Sequence, residues 1–458
     1  MNTVYKLERE KLFSNKMILY FIMPIAVEQI LFDLLDIADD IMVSHLGEDV
    51  LSGLSLAGRI NCVIYGLFMG FVLGGMIIVA QLLGRRDTES ARKIAYTLLS
   101  SLTLISILVS LVVAFFSDNI ISMLYGEINK QTHSSAAIYL KIVGLSYPSE
   151  VIYYCCSNLF RMMKDSKTPT IVSVVMNIIN VILNYIFIFK LDIGIVGAAL
   201  GTLISRYITT LTIFALLCNK KRDIYFELDI KKYRIDFTYL RQILSFGIPT
   251  AIDKGMFQLG RLMIASIFSA FGSMQMAANV VFSGIDTIME ILPDAVCTAS
   301  TTIIGHCAGI GDIEQIKYYT KKLMAIGMLL ALVTLPITLL SLPILHTLYS
   351  VTEETWYLAI KMSSIVYMAV LLFYAPSFTL AYILRAVGDV KFVMFISIFC
   401  MWVFRLGGSF ILAKCLGLGI IGTSIAIFMD WMIRSIILVI RYKSGKWKKS
   451  KVQFIKAT

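Results

Sequence analysis

Four carboxylates, Asp33, Asp36, Asp39 and Asp40, stand within the otherwise apolar stretch LFDLLDIADDIMVSHLG at residues 31–47. A helix turns about 100° per residue, so with Asp33 at zero, Asp36 falls near 300°, Asp39 near 240° and Asp40 near 340°, an arc of about 120°. Glu28 falls near 220° on the same wheel. One side of this helix is acidic and the rest suits lipid. A carboxylate within a membrane is costly, and it lowers that cost by taking up a proton or holding a cation. Both responses are the chemistry of ion coupling. Counted back from Gly47, Asp39 lies about 12 Å deep and Asp33 about 21 Å deep along the axis. Asp39 is a candidate for coupling, with Asp36 and Asp40 beside it, and the deeper Asp33, a substrate-pathway candidate, is harder to read as a surface residue.

The elements that position these groups follow from composition. The chain has 458 residues, 58% hydrophobic and 16% charged, with mean hydropathy +0.80. A soluble domain is nearer half apolar and a quarter charged, so an all-α polytopic membrane protein is expected. A spanning helix needs about 20 mostly apolar residues. Such segments lie at 17–46, 50–82, 93–116, 134–158, 169–190, 194–218, 242–270, 275–306, 321–345, 357–384, 391–415 and 419–440, about twelve transmembrane helices. The charged start MNTVYKLEREKLFSNK precedes an apolar run too long for a leader, so that run is expected to be the first span.

The net charge is +11, and the basic residues sit in alternate loops and in the tail KSGKWKKSKVQFIK. That pattern predicts a multi-pass plasma membrane protein (inner membrane in a Gram-negative cell) with both termini cytoplasmic, in contact with anionic lipid rather than nucleic acid. The eight cysteines read as small buried residues, and the four histidines lack metal-ligand spacing. No cofactor is expected.

The chain repeats itself. FIMPIAVEQ resembles FGIPTAIDK, with Pro24 and Pro249 standing 225 positions apart. Gly84 and Asp87 of GRRD match Gly309 and Asp312 of GIGD at the same offset, as does GIVG at Gly194 with GIIG at Gly419. Arg161 of LFRMMKDSK matches Arg385 of ILRAVGDVK at an offset of 224. Two parallel six-helix, pseudo-symmetric bundles are therefore expected, with a cavity between them suited to alternating access. The expected organisation is a cytoplasmic segment 1–16, an N-lobe 17–218, a linker 219–241, a C-lobe 242–440 and a basic tail 441–458.

The stretches DDIMVSHLGEDVLSGLSLA, AQLLGRRDTESARK, NIINVILNYIFIF, GIVGAALGT, LSFGIPTAI, AANVVFSGI, TASTTIIGHCAGIGD and ILRAVGD resemble the multidrug and toxic compound extrusion (MATE) transporters, from about Phe21 to about Met432. The resemblance implies twelve helices in two bundles. It also implies export of amphipathic or cationic organic compounds driven by inward Na⁺ or H⁺, with the lipid bilayer as surroundings and a monomer as the working unit. The family's D-x-I-x-V-G-x-L-G pattern places its membrane-embedded acid on Asp39, with Ser44 in place of the usual glycine. Related sites add polar residues of the fifth and sixth helices, here Asn180, Asn184 and Thr202, with the Ala198 carbonyl beside them. Such oxygens suit Na⁺. Asn184 departs from relatives that carry a second aspartate there, which Asp36 or Asp40 could offset. An interhelical hydrogen-bond ladder through Asn177, Asn180 and Asn184 is the alternative reading. Pro24 is either a bend that responds to the acid's protonation or a static kink.

The second half has no acidic stripe, since Ile264 stands opposite Asp39. Asp253, Asp286, Glu290, Asp294 and Asp430 are spread over its helices with Lys254, Arg261, Arg405 and Arg434, and Asp286, Glu290 and Asp294 recur at four-residue spacing. They form either a cation pathway or a salt-bridged network with Arg261, Arg405 and Arg434; Glu290 is the favoured contact for a cationic substrate. A C-lobe Na⁺ site using acids on helices seven and ten is not expected, because Phe257 and Tyr374 occupy those positions. Two alternatives stand beside the exporter: a lipid-linked sugar flippase of the same superfamily, against which the acidic first helix argues, and an intramembrane aspartyl protease suggested only by GIGD at 309–312.

Overall fold

The computed structural model describes residues 11–126, 128–227, 235–269, 271–349 and 351–449, with the side chains of residues 36, 37, 265–269, 273 and 449 left out. The chain is helical throughout these residues. In order the helices are α1 Asn15–Ser44, α2 Glu48–Gly84, α3 Thr88–Tyr125, α4 Lys130–Gly144, α5 Tyr147–Met162, α6 Lys167–Lys190, α7 Gly194–Leu217, α8 Phe237–Ser269, α9 Ser273–Ile310, α10 Ile313–Tyr349, α11 Glu353–Ala386, α12 Val390–Cys415 and α13 Ile420–Lys443. α4 and α5 are two pieces of the fourth pass, so the chain makes the expected twelve. Nine of the described helices are long and apolar enough to cross a membrane. Outside that set are the divided α4–α5, α8 with Asp253, Lys254 and Arg261, and α9 with Asp286, Glu290 and Asp294.

Helices outrun the apolar segments because polar caps extend them. α3 begins at Thr88 and not near 93, with the Asp87 carboxylate accepting the Ser90 N–H at 3.0 Å. Asp312 does the same for α10, accepting the N–H groups of Glu314 and Gln315, both at 3.1 Å. The GIGD aspartate is thus a helix cap. The cysteine expectation holds for Cys155, Cys156, Cys297, Cys307 and Cys400, but Cys62 and Cys415 are exposed, because they sit on helix faces that no neighbour covers.

The duplication is visible in the backbone. Positive φ angles recur at the repeat offset: 110° at Gly47 with 92° at Gly272, 63° at Arg86 with 79° at Gly311, and 58° at Gly194 with 56° at Gly419. These are the turns that reverse the chain at equivalent points of each half.

The first helix of each half begins in the core of the other. Ile18, Phe21, Ile22 and Ile25 of α1 are buried with Ile303, Tyr319 and Leu384 of the second half. Tyr239 and Ile243 of α8 are buried with the first-half core around Ile94 and Leu217. Ile18 and Ile243 are repeat equivalents. The exchange lies at the end of the molecule that carries Arg85, Arg86, Lys164 and Lys443, called the basic end below.

A glycine seam closes that end. A β-carbon on Gly74 of α2 would lie 2.5 Å from the Gly247 Cα of α8. One on Gly84 would collide with the His306 carbonyl, and one on its equivalent, Gly309, with that of Gln81. The hydrogen bonds across the seam are reciprocal too: Gln81 Nε2 donates to the Ala386 carbonyl at 2.7 Å, and His306 Nε2 to that of Met162 at 2.8 Å. Overpacking costs about 1–3 kcal/mol, and backbone this close gives little room to relax. Gly74→Leu is expected to lower the unfolding temperature of the purified protein by several degrees in a fluorescence melt. Gly58→Leu, with nothing within 4 Å of its added carbon, is expected to leave it within a degree or two.

Candidate functional site

A cavity of about 950 Å³ lies between the halves, reaching from Ile25, Met162 and Thr301 toward the end opposite the basic one, where Asp40, Ser55 and Arg59 line it. Its closed floor follows from the seam beneath.

Asp39 is half-buried and lines this cavity. α6 packs beside α1 and aims its asparagines at it. Asn184 Nδ2 donates to Asp39 Oδ1 at 2.7 Å, and also to Asn180 Oδ1 at 3.0 Å. Asn180 Nδ2 reaches Thr202 Oγ1 at 3.5 Å and Ser205 Oγ at 3.3 Å on α7. Thr202 Oγ1 in turn donates to the Ala198 carbonyl at 3.1 Å. The local sequence makes room for this chain of contacts: a β-carbon on Gly201 would strike Asn184 Oδ1. Asp39, Asn180, Asn184, Ala198 and Thr202 are therefore brought together. One turn earlier on the same face, Asn177 Nδ2 ties α6 to the Leu31 carbonyl of α1 at 2.8 Å.

The other acidic residues of α1 separate. Asp40 lines the cavity and is exposed, while Asp33 is half-buried and is not among the lining residues. The side chain of Asp36 lies outside the described residues. α1 runs unbroken through Pro24, whose carbonyl accepts from Thr170 Oγ1 at 2.9 Å.

One turn beyond that proline, Glu28 is 2% exposed and meets Arg161 Nη2 at 2.7 Å. Asp253, its repeat equivalent four residues after Pro249, pairs with Arg385, the equivalent of Arg161. Each half thus fixes the acid of its first helix with the arginine ending its fourth pass. Sequence reasoning found Glu28 and both arginines but not the pairing; the signal was that acid and arginine recur together at the repeat offset. This pairing places Asp253 outside the cavity wall. A further missed group is Arg206, mid-helix in α7, which contacts Glu150 Oε2 at 3.2 Å, Ser146 Oγ at 2.9 Å and the Tyr65 hydroxyl. A charge in the middle of an apolar helix was its signal.

In the second half, Asp286 and Asp294 line the cavity and Glu290 does not. Two of the three arginines, Arg405 and Arg434, meet at Asp430 instead. Arg434 Nη2 lies 2.8 Å from Asp430 and Arg405 Nη1 lies 3.9 Å from it, with Asp430 fully buried. The network forms on Asp430 because α12 and α13 are adjacent there, and among the described residues no arginine pairs with the ladder. Among the described residues the cavity wall holds six acids, Glu28, Asp39, Asp40, Glu150, Asp286 and Asp294, and six bases, Arg59, Arg161, Arg206, Lys254, Arg261 and Arg405. It is mixed in charge rather than acidic. Among the described residues no group of three or more His, Cys, Asp or Glu is placed to hold a metal ion.

The MatE family model matches residues 24–186 and again residues 249–411, two copies 225 positions apart. A probable multidrug resistance protein, NorM, of Thermotoga maritima is 25% identical over 451 residues, covering 96% of this chain and 94% of that protein. A transporter of the MOP superfamily from Pyrococcus furiosus, described as having a binding pocket of reversed polarity, superposes with a TM-score of 0.86 at 21% identity, covering 94% of this chain and 96% of the other. An outward-facing multidrug resistance MATE transporter superposes with a TM-score of 0.84 at 20% identity, covering 95% and 96% of the two chains.

Breaking a buried ion pair by removing one partner costs about 3–5 kcal/mol, because the other charge is left desolvated. Arg161→Met is therefore expected to destabilise the protein strongly in thermal unfolding. Arg161→Met combined with Glu28→Gln is expected to recover most of the loss, and a double variant as unstable as the single one would show that the two side chains are not coupled.

Proposed function

The chain belongs to the MatE family, and from that membership we propose that it is a secondary active multidrug exporter. Amphipathic or cationic organic compounds leave by alternating access while Na⁺ or H⁺ enters. The protein acts as a monomer in the plasma membrane, with the basic end and both termini in the cytoplasm. It needs no cofactor, because the coupling ion is carried rather than resident.

Asp39 is the coupling residue in this reading. The observation that carries it is a half-buried carboxylate at the cavity wall, held by Asn184 at 2.7 Å and backed by Asn180, Thr202 and the Ala198 carbonyl. A proton on Asp39 turns one acceptor oxygen into a donor and changes what Asn184 must offer it. A hard cation instead draws on the surrounding oxygens. Asn184 Oδ1 is a buried acceptor with no hydrogen-bond donor, which supports a cation or a proton arriving there. With a single carboxylate at the site, Asp36 and Asp40 supply the extra negative charge nearby.

A second reading is favoured by one observation. Arg59, Lys254 and Arg261 line the cavity outside any described ion pair, and such cations suit the anionic headgroup of a lipid-linked sugar. Stimulation by lipid-linked pyrophosphate precursors, without any response to organic cations, would select it.

In proteoliposomes with Na⁺ and pH gradients imposed separately, at least one gradient is expected to drive ethidium transport. Asp39→Asn is expected to reduce that transport to background while the protein remains folded, and retained transport would remove Asp39 from this role. Asp36→Asn and Asp40→Asn are each expected to weaken the response to the gradient. Asn184→Asp adds a ligand charge and is expected to lower the half-saturating Na⁺ concentration about tenfold.

A further inference from the structure

Glu28 and Gln29 are neighbours in α1, yet they are tied to different halves. Glu28 is bound within its own half, by Arg161 at 2.7 Å and by the hydroxyls of Tyr153 and Thr170, each at 3.4 Å. Gln29 Nε2 crosses to the second half and donates to Asp294 Oδ2 of α9 at 2.8 Å. This is the point at which α1 passes from the second-half core, where Ile18, Ile22 and Ile25 are buried, to the first-half wall that carries Asp39. Below it the helix belongs to one half, and above it to the other.

The repeat sharpens the assignment. The equivalent of Gln29 is Lys254 and the equivalent of Asp294 is Met69, so the acid is present on one side only. Lys254 is held by the Tyr382 hydroxyl at 2.9 Å and lies 5.2 Å from the centre of that ring. The groups that face Asp294 are Gln29 from α1, Lys254 from α8, Glu290 one turn earlier on α9, and from α11 Tyr374, whose hydroxyl donates at 3.4 Å, and Tyr382. Asp294 and Gln29 both line the cavity, and among the described residues no cation forms an ion pair with Asp294. Gln29 Oε1 is buried with no hydrogen-bond donor. A desolvated carboxylate whose hydrogen bonds come from a neutral amide and a long tyrosine contact, with the Lys254 ammonium facing it but turned to Tyr382, gains from a full positive charge in direct contact.

We propose that Asp294 is the contact for a cationic cargo at the cavity floor, and that its hydrogen bond to Gln29 is a latch between the halves which that cation releases. The cargo draws the Asp294 carboxylate away from Gln29. The start of α1 then loses its polar tie to α9 at the level where the halves must part for the basic end to open. The inference rests on the cationic-cargo reading above and assigns it a residue that contacts the charge.

The test uses the full chain in lipid nanodiscs, with tetraphenylphosphonium as the probe. Two quantities are read: equilibrium binding, and hydrogen–deuterium exchange of residues 15–29 and 292–301. In the wild type the probe is expected to bind and to raise exchange in both segments. Asp294→Asn keeps an oxygen acceptor for Gln29 but removes the charge, and is expected to weaken binding about tenfold, the loss of one charge-assisted contact. Gln29→Leu is expected to bind at least as tightly as the wild type and to show raised exchange before any probe is added. Binding by Asp294→Asn within twofold of the wild type would overturn the cargo contact. Wild-type exchange in Gln29→Leu would overturn the latch. A wild type that binds no tetraphenylphosphonium would overturn the cationic-cargo reading itself, and the release step with it.

Discussion

The structure depends on the exchange of helix starts between its halves. The start of α1 is buried in the second-half core and the start of α8 in the first-half core. Neither half can therefore complete its own interior at the basic end. The glycine seam of α2 against α8 and α9 follows from this, because the exchanged helices bring backbone against backbone where no β-carbon fits. The cavity follows as well. It lies where the exchange stops and each first helix turns back toward its own half. Between seam and cavity is one polar layer, containing Glu28 with Arg161, Asp253 with Arg385, and Gln29 with Asp294.

That layer and the walls above it answer a single cost, the desolvation of charge. Most of the buried charges are neutralised within one half: Glu28 by Arg161, Asp253 by Arg385, Glu150 by Arg206 and Asp430 by Arg434. These pairs fix helix positions and leave no acid free to exchange ions. Asp39 differs in kind. It accepts from the Asn184 amide, behind which Asn180, Thr202 and the Ala198 carbonyl continue the polar chain across α6 and α7. Asp294 resembles it, held by an amide and a phenol. The two carboxylates proposed to act both line the one cavity, and each accepts a hydrogen bond from a neutral amide.

How much of this was legible in the sequence varied with the range of the interaction. Helix number and the two-fold repeat were read from local hydropathy and from recurring short motifs, and the positive φ angles at Gly47 and Gly272 or Gly194 and Gly419 obey the same offset. The Asp39–Asn184 contact was anticipated only through family resemblance, because 145 residues separate the partners. The Glu28–Arg161 pair was legible in principle, since FIMPIAVEQ and LFRMMKDSK each recur with acid and arginine retained. The exchange of α1 and α8 was not, because hydropathy reports that a face is buried and not which core buries it. The choice between a cation pathway and a salt-bridged network for Asp286, Glu290 and Asp294 was not legible for a similar reason. Four-residue spacing puts the acids on one face, but Arg434 pairs with Asp430 along its own helix and Arg405 approaches it from α12.

Antiport requires that the coupling ion and the cargo oppose one another through a shared free energy. In the exporter proposed above, Asp39 carries that opposition. The most direct measurement is the equilibrium affinity of the purified protein for tetraphenylphosphonium as Na⁺ concentration and pH are varied, in the wild type and in Asp39→Asn. The wild-type affinity is predicted to fall as the coupling ion, Na⁺ or H⁺, rises, and the variant is predicted to bind with an affinity that responds to neither. An Asp39→Asn protein with the same ion dependence as the wild type would contradict the account.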